Sequence, residues 1–499
     1  MSSAGLYEQY KTKMQKIADV KYASAVLQWD QETYLPPKGK AGRGRQIATL
    51  SEIAHQQFTD EKLGALLVEL NTREDLLPGQ KRNAQLSFED YNRSKKLTSQ
   101  FVRQLSEAVT KAYHAWAEAR TKNSFAAFQQ PLHNLIQLKK QEADMLGYVH
   151  HPYNALMNDY DKGLTVATVD KIFDGLKPRL LLLLDSIKDK TTVDNSFLHQ
   201  HFNKDDQWKF GMEILKRIGF DFDAGRQDIS LHPFTTNFSS KDVRVTTRID
   251  ENDFGNMTWS CIHEGGHALY EQGLPDDEYG LPMGEYCSLS IHESQSRLWE
   301  NCIGRGLSFW QHNFKLLQTL FPKQLTGLSV QQFYSGINKV APSLIRTEAD
   351  ELTYHFHVMI RYEIEKMLIE GSISTADIPA YWNEHYQKYL GVTVPDDKRG
   401  CLQDIHWSHG SFGYFATYSL GSMYAAQLYA AIEKENPSIE KKIGAGNYHA
   451  VHQWLKNNIY QHGRYFSSEE LCKKATGESL NPTYFIRYAT TKFNQVYSS

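Results

Sequence analysis

The stretch Met257-Thr-Trp-Ser-Cys-Ile-His263-Glu264-Gly265-Gly266-His267-Ala-Leu-Tyr270-Glu-Gln-Gly273 decides how the rest of this chain is read. Met257, Cys261 and Ala268 recur at helical spacing, and Gly273 is suited to stop a helix. Residues four apart share a helix face, so the imidazoles of His263 and His267 point the same way and together can hold one zinc ion. Glu264, beside the first imidazole, is placed to serve as general base toward the water such a metal activates. Gly265 and Gly266 each cost about 1 kcal/mol against Ala inside a helix. Such residues are tolerated where a ligand or another backbone comes close, and the expectation is that they form a floor under the substrate.

A catalytic zinc takes a third protein ligand and keeps a position open. The extended pattern H-E-x-x-H-x-x-G-x-x-H would need Gly at 270 and His at 273, and the chain has Tyr270 and Gly273, so that subclass is excluded. The alternative is a carboxylate from a following helix, and Ser288-Leu-Ser-Ile-His292-Glu293-Ser-Gln295-Ser-Arg297-Leu-Trp-Glu300-Asn301 supplies one. Glu293 is the first choice, with His292, Glu300, Glu285 and Asp276 as rivals. Periodicity alone does not choose between Glu293 and Glu300.

Size and composition set the bounds. A chain of 499 residues buries a large core, and 41% hydrophobic with 23% charged residues is ordinary for a globular protein. A net charge of -3 gives no electrostatic case for nucleic acid or for an anionic membrane. The five cysteines (261, 287, 302, 401, 472) form no C-x-x-C pair. That argues for reduced thiols and a cytoplasmic setting. The N-terminal stretch has no apolar signal-like run.

No repeat, low-complexity tract or Pro/Gly/Ser-rich linker divides the chain. Leu6, Tyr7, Tyr10, Met14, Ile17 and Ala18 form a helical stripe, and Pro36-Pro37 break the chain before a helix through Ile47, Leu50 and Ile53. Leu180 to Leu184 reads as a buried helix segment. The uncharged run from Ile405 to Ile432 is too polar for a bilayer span and reads as buried or cleft-lining. Alternation and β-branched residues between Asp228 and Asp250 suggest a small sheet, either a plain hairpin or an edge that pairs with a peptide backbone.

Five motifs in order carry a family resemblance: Asp242-Val-Arg244-Val-Thr246, His263-Glu264-Gly-Gly-His267, His292-Glu293-Ser294-Gln295, Ile345-Arg346-Thr-Glu-Ala349-Asp350, and Gly400-Cys-Leu-Gln403-Asp404-Ile-His406-Trp407. The sequence resembles the carboxypeptidase Taq (thermostable carboxypeptidase 1) family of zinc metallocarboxypeptidases. The resemblance implies a mainly α-helical fold with a deep central groove and a small β-sheet near the zinc helix, similar to neurolysin and angiotensin-converting enzyme. Residues 1–499 then form a single catalytic domain of two helical lobes around a cleft, with the sheet at 228–250 and the zinc and substrate motifs at 257–407.

The resemblance also implies His263, His267 and Glu293 as ligands of Zn2+ (or Co2+), Glu264 as general base, a homodimer, and removal of single C-terminal residues from peptides with a free C-terminus. Arg346 is the group expected to bind that carboxylate bidentately, unless it pairs with Glu348 or Asp350. His406 is the expected oxyanion donor, against a packed histidine beside Trp407, and Tyr418 is chosen over Tyr414 and Tyr424 as a second donor. Asp242 and Arg244 line the substrate cleft or pair with each other. Asp404 and Gln295 are expected to orient a ligand imidazole. The rival functions are an oligopeptidase or dipeptidyl carboxypeptidase on the same scaffold, and a non-catalytic peptide-binding protein.

Overall fold

The two helices that carry the candidate site start at side-chain caps on backbone N–H groups that have no partner within the helix. Asp253 accepts from Gly255 N at 2.9 Å and opens the helix Phe254–Gly273. Ser288 accepts from Ile291 N at 3.1 Å and opens the helix Leu289–Arg297. The computed structural model describes residues 2–190 and 192–497. It is mainly helical, with one three-stranded sheet. No helix among the described residues is long and apolar enough to cross a membrane, and the five cysteines are free thiols.

The described residues fall into two compact units, each assembled from separated stretches. One comprises Met1–Lys95, Asp194–Ile337 and Tyr424–Leu480. The other comprises Lys96–Val193, Asn338–Met423 and Asn481–Ser499.

In the first unit the expected stripe on Ser3–Thr33 is buried against Leu63, Leu67 and Leu70. The next helix, Lys40–Phe58, departs from expectation. Only Ala54 is buried, and Ile53 faces outward, because this helix packs chiefly along Ser3–Thr33. The sheet has three strands: β1 (Gly225–Ile229), β2 (Thr235–Ser239) and β3 (Asp242–Thr247), in the order β1-β3-β2. β3 runs parallel to β1 and antiparallel to β2. It is therefore more than a hairpin. The run after Ile229 leaves the sheet before Pro233, which has no N–H to give a ladder. β3 packs on Phe254–Gly273, and β2 lies beside both that helix and Ser3–Thr33.

In the second unit the five-leucine run lies in the helix Val166–Lys188. Leu180 and Leu183 are buried, whereas Leu182 is 72% exposed. The run thus goes round a surface helix and is only partly buried, since five consecutive residues span more than one face at 3.6 per turn.

Candidate metal centre

The His263 helix (Phe254–Gly273) and the Glu293 helix (Leu289–Arg297) meet backbone to backbone. A Cβ on Gly266 would lie 2.7 Å from both Gln295 O and Ser296 Cα, and one on Gly265 would meet Leu215 Cδ2 at 2.6 Å. The two glycines are accounted for by helix packing, which corrects the expectation of a substrate floor. Close approach has a chemical result. Glu293 Oε2 lies 3.4 Å from His267 Nε2 and 3.7 Å from His263 Nε2. One ligand atom from each of the three residues falls within 4.8 Å of the others, a group able to hold a metal ion.

Two of the three, His263 and Glu293, are held from behind. His263 Nδ1 lies 2.8 Å from Glu300 Oε2. Burial raises the Glu300 pKa, but His263, Arg297 and Arg305 outweigh it and bring the carboxyl down to about 2. Glu300 is therefore a pure acceptor, so Nδ1 carries the proton and Nε2 is turned toward Glu293 and His267. Burial pulls the His263 pKa down, and Glu293 with Glu300 more than reverses this.

His267 is pulled to about 3 by burial and by the neighbouring His292 and His263, leaving a neutral imidazole. Its buried Nδ1 has no hydrogen-bond partner. Arg297 Nε donates to Glu293 Oε1 at 2.7 Å. Burial raises Glu293, yet Arg297 and the two histidines hold it well below the usual carboxylate range. Two imidazoles and one carboxylate are a donor set suited to zinc, leaving a fourth position open. The residues fit the metal that the sequence implies.

Glu264 follows His263 and is buried. Its carboxylate lies 2.6 Å from Thr235 Oγ1 on β2, and burial raises its pKa against the opposing pull of His263 and Thr235. His292, a rival ligand, instead stacks on His267 with ring centroids 4.4 Å apart and contacts Glu271 Oε1 through Nε2 at 2.8 Å. Asn237 on β2 donates to the other Glu271 oxygen at 2.5 Å. Gln295 does not orient a ligand ring: its amide donates to Ser294 Oγ at 2.8 Å. On β3, Arg244 pairs with Asp242 through Nε and Nη2, both at 3.0 Å, and its guanidinium lies over the rings of Trp29 and Phe238. The pairing between the two is the arrangement found.

A second polar cluster belongs to the other unit. Arg346 donates to Asp404 Oδ1 through Nε at 2.9 Å and Nη2 at 2.8 Å, and to Tyr354 through Nη1 at 3.1 Å. Its partner is neither Glu348 nor Asp350. Arg361 Nε donates to Asp404 Oδ2 at 2.6 Å. Asp404 therefore serves two arginines, which corrects its expected role beside a ligand imidazole. Burial raises Asp404, and the two guanidinium groups hold it far below the ordinary carboxylate range.

The bidentate edge of Arg346 is already taken, leaving one N–H on each Nη. His406 Nε2 lies 3.2 Å from the Tyr418 hydroxyl. Burial and the charge of Arg346 bring His406 down to about 3, so it is neutral. Tyr414 packs against the His406 ring at 5.5 Å between centroids.

Sequence reasoning missed Thr235 and Glu271 as supports. A hydroxyl on a strand beside the zinc helix carries no motif of its own. The pairing of Glu300 was within reach, because seven residues beyond Glu293 is two helical turns on.

A mainly helical chain that gathers two histidines four apart and a distant glutamate, with a second glutamate beside the first histidine, has the make-up of a metallopeptidase. The family model for carboxypeptidase Taq (M32) metallopeptidases matches residues 9–493. Carboxypeptidase 1 of Bacillus subtilis is 38% identical over 486 residues, covering 97% of each chain. A solved structure described as that of CHT is 57% identical, with a TM-score of 0.96, and the match covers 98% of this chain and 99% of that one. The M32 carboxypeptidase of Deinococcus radiodurans R1 is 37% identical, with a TM-score of 0.97, covering 99% of this chain and 100% of that one. The chain belongs to the carboxypeptidase Taq (M32) family of metallopeptidases. Membership assigns carboxypeptidase activity on peptides and dependence on a divalent metal.

Proposed function

We propose that this protein is a zinc-dependent carboxypeptidase that removes single C-terminal residues from peptides. His263, His267 and Glu293 hold the metal, and Glu264 is the general base. The observation that carries the reading is the convergence of those three ligand atoms within 4.8 Å, with a buried carboxylate beside them and Thr235 fixed on it. Zinc, or cobalt in its place, supplies a Lewis acid that activates water near neutral pH and polarises a carbonyl.

The protein's own groups do the rest. Glu300 keeps the proton of His263 on Nδ1, so Nε2 offers its lone pair. Glu264 takes the proton of the attacking water at its carboxylate and passes it to the leaving amine. Burial of Glu264 raises its proton affinity toward what a base at neutral pH requires, and the Thr235 hydroxyl limits its rotation. His406, neutral, and Tyr418 supply hydrogen bonds for the developing oxyanion. The free Nη N–H groups of Arg346 bind the substrate carboxylate, with Asp404 holding the guanidinium in place. Asp242 and Arg244 present a peptide-facing surface as a mutual pair. The homodimer that the family resemblance implies and the cytoplasmic setting that the cysteine pattern argues for complete the reading, and sedimentation equilibrium decides the former.

One experiment tests the chemistry and the direction together. Wild type and Glu264→Gln are loaded with zinc, their metal content is measured, and each is given a peptide and its C-terminal amide. The expected result is stoichiometric zinc in both proteins, a loss of about 10²- to 10⁴-fold in kcat for Glu264→Gln, and little cleavage of the amide by wild type. Near-normal kcat in the variant removes Glu264 from its role. Full-rate cleavage of the amide favours an oligopeptidase and removes Arg346 from carboxylate binding.

A further inference from the structure

Trp407 closes the motif Gln403-Asp404-Ile-His406-Trp407, and its indole N–H has a specific destination. It donates to Glu365 Oε1 at 2.7 Å. Glu365 Oε2 accepts from Gly413 N at 2.8 Å and from the Tyr153 hydroxyl at 2.5 Å. The carboxyl thus ties together both ends of the segment 407–413, which begins next to His406 and leads directly into Tyr414 and the helix bearing Tyr418.

The tie is tight at both ends. Trp407 is 4% exposed. Gly413 adopts φ +100°, and a Cβ there would lie 2.8 Å from Leu156 C and Met157 N, so only glycine fits. Glu365 itself is fully buried, and all three of its hydrogen-bond partners are neutral donors.

A buried carboxyl with no cation bonded to it is an expensive way to fill space. Burial drives the Glu365 pKa up to about 7 in spite of the Gly413, Tyr153 and Trp407 bonds and the field of Lys139, which is itself paired with Glu142. An apolar residue of similar size would avoid that cost. It would also leave the indole N–H and the Gly413 N–H buried and unsatisfied, which is costlier than never having made the bonds. What the carboxyl supplies is acceptor geometry: two oxygens that fix three donors from three places in the chain. One of those places is the residue adjoining His406, and another is the residue preceding Tyr414.

From this geometry we infer that Glu365 is a positioning residue, which clasps the segment 407–413 and thereby sets the His406–Tyr418 pair at its 3.2 Å separation. It touches neither the metal ligands nor the substrate-binding guanidinium, and it acts only through His406 and Tyr418. The inference rests on the oxyanion role given to His406 under the proposed function. No sequence motif marks Glu365, because its three partners come from distant stretches of the chain.

The test uses the zinc-loaded full chain and the variants Glu365→Gln, His406→Ala and their double. Gln keeps size and one acceptor oxygen but turns an NH2 toward the donors. Expected for Glu365→Gln is a fall of about tenfold or more in kcat, with KM and zinc content within about twofold of wild type. In the His406→Ala background the same change should cost less than about twofold, because both act through one contact.

The His406 ring signal in a histidine-labelled NMR spectrum, assigned by its loss in His406→Ala, should move in Glu365→Gln. An unmoved signal overturns the clasp whatever the kinetics. Unchanged kcat in Glu365→Gln, or losses that multiply in the double variant, overturns the positioning role while leaving His406 in place. Full kcat in His406→Ala removes the oxyanion role itself, and the clasp then stands or falls on the NMR signal alone. Tyr153→Phe removes a single donor with little change of shape. It should show the same signature at smaller amplitude, and it decides the question if Glu365→Gln does not fold.

Discussion

The two polar clusters of this molecule are built on opposite plans. Around His263, His267 and Glu293 the charges are held apart. Arg297 and Glu300 grip the outer atoms, and the inner ones converge without touching: Glu293 Oε2 stops 3.4 and 3.7 Å from the two imidazole nitrogens. Around Asp404 the charges close on each other, with both carboxylate oxygens taken by arginines at 2.6 to 2.9 Å. The first arrangement turns three ligand atoms toward one place where a small cation can be held. The second is already neutralised and has only spare N–H groups to offer. Ionisable residues gathered in one place are therefore not enough to mark a metal site, and what distinguishes one is that its donors are restrained from satisfying each other.

The sharpest way to break the comparison is Asp404→Asn. It leaves two buried guanidinium groups without a counter-charge, and breaking such a pair costs about 3–5 kcal/mol. Zinc stoichiometry should not change. Asp404 has a depressed folded-state pKa, so its stabilisation is present above the unfolded carboxyl value of about 4 and is lost as pH falls through the folded value. Denaturant melts should show a constant gap between wild type and variant from pH 5 to 8, narrowing below pH 4. A gap that widens on acidification would contradict the closed-cluster account.

Gly266→Ala tests the other side. The added methyl group would meet backbone atoms at 2.7 Å, and backbone cannot rotate away as a side chain can. The helices must separate by some tenths of an ångström, at a cost of roughly 1–3 kcal/mol. Because that contact holds Glu293 opposite His267, zinc affinity should fall together with stability. Titration with a competing chelator beside a thermal melt measures both. Lost stability with unaltered affinity would mean that the glycine serves packing alone.

These two variants also locate where reading from residues runs out. His263, Glu264 and His267 were legible because one helix turn brings them together, and helical periodicity is a local property. The choice between Glu293 and Glu300 was not, since the two carboxylates are two turns apart. The structure uses both, one inward to the histidines and one onto His263 Nδ1. Arg346 and Asp404 were recognisable as motif members, but their pairing depends on two loops meeting in space and has no periodic trace. The sheet was visible in its alternation, while the parallel partnership of β1 and β3 was hidden because β1 contributes polar Arg226, Gln227 and Asp228. The exposed face of Lys40–Phe58 failed for a related reason: amphipathic spacing tells which residues share a face, and only the neighbours decide whether that face is covered.

Glu300→Gln is the finest test of the difference between the clusters. The amide can still contact His263 Nδ1, but it gives up the charge facing Arg297 and Arg305, so stability should fall too, by less than in Asp404→Asn because those contacts are longer, at 3.4 and 3.3 Å. What it loses is the full charge that fixes the Nδ1–H tautomer and makes the imidazole a better ligand. Partners of this kind are worth about 10- to 100-fold in metal affinity. The expected result is that loss, read by chelator competition at fixed pH, with wild-type kcat recovered at saturating zinc. The contrast with Asp404→Asn is then one of emphasis: a buried carboxylate neutralised in one cluster chiefly destabilises the fold, and in the other it chiefly loosens an ion. If Glu300→Gln instead lowers kcat at saturating zinc, Glu300 also tunes the chemistry through His263, and the support behind the ligand is part of the reaction.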